Sequence, residues 1–135
     1  MKYLLDTDIC IYLIKQRPSN VIDKLSSLPN SEVALSAITV FELQYGVECS
    51  HARERSQQAL NHFMEPVSHI LEIDQQVAIQ AAKVRAQLRQ KGTPIGPYDL
   101  LIAATALTHG LTVVSNNERE FQRVKGLALE NWATG

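Results

Sequence analysis

A chain of 135 residues with 45% hydrophobic content can bury one substantial core and is too apolar for intrinsic disorder. No apolar run reaches the about 18 residues of a membrane span. The opening Met1-Lys2-Tyr3-Leu4-Leu5-Asp6 meets an acid too early for a signal peptide, so a cytoplasmic protein away from membranes is expected. The formal net charge of −1 gives no global attraction to nucleic acid, so any chemistry on RNA or DNA requires basic residues concentrated locally.

Short apolar runs alternate with longer amphipathic segments, the pattern of an α/β domain with a central, mainly parallel sheet flanked by helices. Tyr3-Leu4-Leu5 reads as the first strand and Ile9 to Lys15 as a helix. Pro18 opens a second helix, and Glu32-Val33-Ala34-Leu35 is the second strand. Ser36 caps a helix running to about Cys49 that carries Ile38, Phe41, Leu43, Tyr45 and Val47. His51 to Met64 is a polar surface helix, and Val67 to Ile73 a short strand. Asp74 then caps a long helix through Arg89 that ends at Gly92. Gly96-Pro97 starts a nearly all-apolar helix from Tyr98 to Leu107, closed near His109-Gly110. Leu111 to Ser115 is a buried strand, Asn117 caps a short helix, and Leu127-Ala128-Leu129 adds an edge strand. No repeat or linker divides the chain, so a single domain over residues 1–135 is expected.

Cys10 and Cys49 lie outside any metal or redox spacing and read as two small core-facing side chains. The four histidines, His51, His62, His69 and His109, show no ligand spacing. Basic residues cluster at Lys15/Arg17, at Lys83/Arg85/Arg89/Lys91 and at Arg119/Arg123/Lys125, each of which also reads as a solvated face.

Three acids stand out. Ligands of open parallel sheets gather at the carboxyl ends of strands, and Asp6 ends the first strand, although it equally suits the N-cap of the next helix. Glu42 has Ile38, Tyr45 and Gly46 as helical neighbours, which puts it at the border of the buried stripe, where a surface acid is the alternative. Asp99 precedes Leu100-Leu101-Ile102-Ala103-Ala104, a segment with no polar face. It either complements the helix N-terminus or occupies a polar cavity. Two carboxylates about 4 Å apart repel by roughly 4 kcal/mol at an effective dielectric of about 20, so a convergent cluster calls for a divalent cation, Mg²⁺ or Mn²⁺ for all-oxygen ligands.

Leu4-Leu5-Asp6-Thr7-Asp8-Ile9 and Ser36-Ala37-Ile38-Thr39-Val40-Phe41-Glu42-Leu43 resemble the opening motifs of PIN-domain nucleases. Gly96-Pro97-Tyr98-Asp99-Leu100-Leu101-Ile102-Ala103 and Val114-Ser115-Asn116-Asn117-Glu118-Arg119-Glu120-Phe121 resemble the later pair. The closing Val124-Lys125-Gly126-Leu127 and Glu130-Asn131-Trp132 are similar to the VapC toxin branch of type II toxin–antitoxin systems. The resemblance implies a Rossmann-like PIN fold, with Asp6, Glu42 and Asp99 as the catalytic, metal-binding acids. Many relatives carry Asp where this chain has Asn117, so a second ion is expected to bind weakly. Glu120 is the alternative fourth ligand, or else it closes an Asn-x-x-Glu capping box with Asn117.

The resemblance further implies hydrolysis of structured RNA such as tRNA by a metal-activated water, leaving a 5′-phosphate and a 3′-hydroxyl. It also implies a homodimer and a VapB-type antitoxin that lays a helix along an apolar groove and sets a basic side chain near the acids. Two other readings compete. Asp6-Thr7-Asp8 after a strand resembles the nucleophile motif of haloacid-dehalogenase-type phosphatases, although Asn116-Asn117 stands where that family has acids. A non-enzymatic binding module on the same fold would keep the acids only as caps.

Overall fold

In the computed structural model, residues 1–133 are described; Thr134 and Gly135, the last two positions of the expected 1–135 domain, lie outside the described residues. The strands are β1 (Tyr3–Leu5), β2 (Val33–Ser36), β3 (Ile70–Leu71), β4 (Thr112–Val114) and β5 (Leu129–Glu130). They form one parallel sheet in the order β3-β2-β1-β4-β5. The helices are α1 (Thr7–Lys15), α2 (Ser19–Ser26), α3 (Ala37–Glu48), α4 (Arg53–Met64), α5 (Gln75–Lys91), α6 (Pro97–His109) and α7 (Glu118–Phe121).

The chain builds outward from β1 in both directions. It passes through β2 to β3 on one side, then crosses to β4 and β5 on the other. Connections leaving β1 and β4 therefore diverge, and a crevice opens beyond the carboxyl ends of those two strands. Leu4, Leu5, Val113 and Val114 are almost fully buried, as expected for parallel strands covered on both faces. One apolar cluster joins Leu5, Ile9, Leu35 and Leu43; another joins Leu4, Val84, Ile102 and Phe121.

Local signals position the helices. Asp74 accepts from the Val77 N–H at 3.0 Å, and Gly92 closes α5 with φ of 69°. Pro97 is the first residue of α6, and Gly110 ends that helix with φ of 66°. The four-residue α7 is too short to persist alone and is anchored by Phe121, fully buried, whose burial contributes about 1.5–3 kcal/mol.

Some expectations are corrected. The strand expected over Val67–Ile73 narrows to Ile70–Leu71, because only Leu35 and Ser36 of β2 are in register to pair with it. Cys10 is buried, but Cys49 is exposed. The buried stripe of α3 is Thr39, Leu43 and Val47, and Cys49, two residues beyond Val47 at the C-cap, is turned away from it. Tyr45 is 63% exposed, so it forms no part of the buried stripe that Glu42 was expected to border.

Candidate active site

Asp6 follows β1 directly and is 3% exposed. Its backbone N–H donates to the Val114 carbonyl at 3.0 Å, continuing the β1–β4 ladder by one residue. Its side chain serves two roles at once. Oδ1 accepts from the Ile9 N–H at 2.9 Å and caps α1, while Oδ2 accepts from the Ser115 hydroxyl at 2.5 Å. Burial pushes the Asp6 carboxyl up to about 6; the Ser115 and Ile9 hydrogen bonds oppose this, and the nearby charges of Asp8 and Glu42 add to it.

Glu42 reaches the same crevice from α3. Its Oε1 accepts from the Thr7 hydroxyl at 2.7 Å, and Thr7 also shares a 3.3 Å hydroxyl contact with the buried Thr39. Two threonines at the openings of adjacent helices thus fix a half-buried carboxylate.

Asp99, the third residue of α6, occupies both settings weighed for it: the first turn of a helix and a polar recess. Its Oδ2 accepts from the Asn117 amide at 3.2 Å, and the same amide donates to Glu120 Oε2 at 2.8 Å. Burial, a hydrogen bond with Glu120 and the negative charges of Glu120, Asp6 and Glu42 push the Asp99 carboxyl up to about 8. The Glu120 carboxyl is held low, mainly by Asp99, so the two acids titrate as one pair. Glu120 Oε1 also accepts from the Gly96 N–H at 3.3 Å.

The capping-box reading of Asn117 and Glu120 does not hold. Asn117 is the N-cap of α7 but makes no side-chain cap hydrogen bond, and its amide group donates to the two acids. Its own N–H donates to Ser115 Oγ at 2.8 Å, which links the Asp6 side of the crevice to the Asp99 side. Ser115 and Thr7 were not singled out as site residues. The available signal was their position at the carboxyl end of a parallel strand, Ser115 one residue after β4 and Thr7 two residues after β1.

Among the described residues, no three His, Cys, Asp or Glu side chains are grouped to hold a metal ion as they stand. The donor chemistry is nevertheless that of a hard divalent cation. Asp6, Glu42, Asp99 and Glu120 are tied together by hydroxyls and an amide, and among the described residues no Lys or Arg is hydrogen-bonded to any of them. Burial is the main cause of the upward push on Asp6 and Asp99, and the neighbouring acids add to it.

The PIN domain family matches residues 3–127 of the sequence. The chain belongs to the PIN-domain family, in its VapC branch. It is 42% identical over 132 residues to the "tRNA(fMet)-specific endonuclease VapC" of Salmonella typhimurium, covering 98% of each chain. It is 40% identical to "Ribonuclease VapC2" of Rickettsia felis, covering 98% of each. The solved structure of DNA-bound VapBC from Salmonella typhimurium contains a chain that superposes with a TM-score of 0.91 at 42% identity, with 98% of each chain covered. The PIN assignment removes the haloacid-dehalogenase-type alternative. The parallel sheet flanked by helices agrees with the α/β, Rossmann-like PIN architecture expected from the sequence.

Proposed function

We propose that this chain is a divalent-metal-dependent endoribonuclease, the toxin of a toxin–antitoxin pair, with Asp6, Glu42 and Asp99 as its catalytic acids. The observation that carries this reading is the placement of Asp6, Glu42 and Asp99 at the carboxyl-end crevice of a PIN fold, each held by a hydroxyl or amide from Ser115, Thr7 or Asn117. Similarity to the tRNA(fMet)-specific endonuclease supports structured RNA, tRNA in particular, as substrate. Similarity to VapBC assemblies supports a VapB-type antitoxin as partner. We take the PIN unit to extend over residues 1–135 and to act in the cytoplasm; no helix among the described residues is long and apolar enough to cross a membrane.

Asp6, Glu42 and Asp99 would hold Mg²⁺, with Mn²⁺ as an alternative, and Glu120 or Asn117 would complete the set. When bound, the metal activates water and stabilises charge on the phosphate. The chain's own residues prepare the acids: Ser115 orients Asp6, Thr7 orients Glu42, and the Asn117 amide bridges Asp99 and Glu120. Glu120 is favoured over Asn117 as the fourth acid, since its carboxylate is held ionised next to Asp99 and the Asn117 amide hydrogens point at the two carboxylates. A homodimer is supported by a contiguous aromatic patch, in which Phe41 stacks on Tyr45 and meets the edge of Tyr98. The three are 50%, 63% and 44% exposed and lie beside Glu42 and Asp99 in sequence.

The test is cleavage of bulk tRNA by purified protein with Mg²⁺ or Mn²⁺. Asp6→Asn keeps an oxygen able to cap α1 and is expected to fold yet lose cleavage, by more than about 100-fold. Full activity of Asp6→Asn under matched metal overturns the assignment. A calorimetric titration with Mn²⁺ that shows no heat favours the non-enzymatic binding module.

A further inference from the structure

A cavity lies against the loop between α5 and α6. Its volume is about 570 Å³, its apolar floor includes Leu88, Ile95 and Leu100, and Arg85 and Arg89 of α5 line it. Both arginines are exposed, and among the described residues neither forms an ion pair or a side-chain hydrogen bond. In a chain of net charge −1, α5 carries Lys83, Arg85, Arg89 and Lys91 across 17 residues with no acid at all. Favourable interaction with the helix C-terminus accounts for cations in the last turn, Arg89 and Lys91, but not for Arg85. Arg85 and Arg89 stand one helical turn apart on the flank of the buried Val77, Ala81, Val84 and Leu88 stripe, whereas Lys83 lies on the opposite flank.

The cavity is mechanically tied to the acids. Arg123 donates to the Pro94 carbonyl at 2.8 Å and holds the loop between α5 and α6. Gly96 in that loop donates to Glu120, and a Cβ placed on Gly96 would lie 3.9 Å from Asp99 Oδ2. The wall of the cavity is therefore also the backing of the acid site.

We propose that Arg85 and Arg89 form a phosphate-binding subsite for the RNA strand on the α5 side of the catalytic crevice, with the apolar floor receiving the adjoining ribose or base. This rests on the nuclease reading above. An acidic crevice repels a polyanion, and a cationic subsite one loop away supplies the local attraction that the overall charge denies. Paired guanidinium groups suit phosphate oxygens better than ammonium groups do.

The experiment measures anisotropy of fluorescently labelled bulk tRNA against salt, together with its cleavage, for wild type, Arg85→Gln/Arg89→Gln and Lys83→Gln. Thermal melting checks that each variant is folded. Loss of two phosphate contacts is expected to reduce the slope of log affinity against log salt by about 1.4–1.8 and to raise the KM for cleavage while kcat changes less than twofold. Lys83→Gln is expected to leave slope and KM close to wild type. An unchanged slope in the double variant, an equal effect of Lys83→Gln, or no tRNA binding by the wild type each overturns the subsite. Binding by the wild type with the expected slope change, but without cleavage, supports the subsite and counts against the nuclease reading alone.

Discussion

Ser115 donates its hydroxyl to Asp6 across 109 residues of chain, and it accepts the N–H of Asn117 at the same oxygen. One small side chain thus joins the acid after β1 to the loop after β4. Ser115→Ala leaves Asp6 with one hydrogen bond in a buried setting, and it orphans the Asn117 N–H. Stability is expected to fall by about 1–3 kcal/mol in denaturant unfolding. The pH at which cleavage reaches half its maximum is expected to rise, because the Ser115 hydrogen bond is the larger of the two that oppose the upward push on the Asp6 carboxyl. An unchanged pH midpoint would remove Ser115 from the site.

Metal and pH are expected to act on stability together. Asp6 and Asp99 have folded values of about 6 and about 8, both above the ordinary carboxylate value of 3.8. The folded chain therefore holds more protons than the unfolded chain in this range, and stability falls as pH rises. For Asp6 the loss runs from about 4 to about 6, and for Asp99 from about 4 to about 8, with Asp99 and Glu120 titrating as one pair. With a chelator present, the melting temperature is expected to drop from pH 5 to pH 8. Mn²⁺ is expected to restore it at pH 8 and to do little at pH 5, where Asp6 and Asp99 are protonated. A rise of equal size at both pH values argues against these acids as the metal site.

Thr7→Val removes the donor that orients Glu42 while leaving every acid in place. Groups that orient metal ligands typically matter by about 10–100-fold in metal affinity or activity. A loss of that size in Mn²⁺ affinity by calorimetry is expected, with a stability change under about 1.5 kcal/mol. Wild-type affinity in Thr7→Val would place Glu42 outside the metal site.

Asn117→Asp introduces the acid that the family resemblance led one to expect here and deletes the amide that now bridges Asp99 and Glu120. Without metal, this adds a negative charge to two carboxyls already in contact, and lower stability at pH 8 is expected. With Mn²⁺, the same charge is expected to raise affinity and to reveal a second binding event. A titration with the wild-type stoichiometry and affinity would count against Asn117 as the position that weakens the second ion.

Much of the architecture was legible because it is governed by short-range chemistry. The burial pattern of β1 and β4, the Asp74 and Gly92 limits of α5 and the Pro97 start of α6 all follow from local propensity, capping and periodicity. Asp99 was visible as a charge in an apolar segment, Asp6 by its place at the end of a strand and Glu42 by its place at the border of a helix stripe. Other features depended on which strands became neighbours. Ser115 matters only because β4 pairs with β1, and Asn117 bridges two acids only because Asp99 and Glu120 arrive beside it. The exposure of Cys49 and Tyr45 was likewise set by which stripe of α3 met the sheet. The sequence by itself determined which side chains carry the charge and where α3, α5 and α6 begin. Only the tertiary structure decided which hydroxyl and amide each acid meets, since hydrogen bonds over 18 to 109 residues depend on strand order that no local pattern encodes.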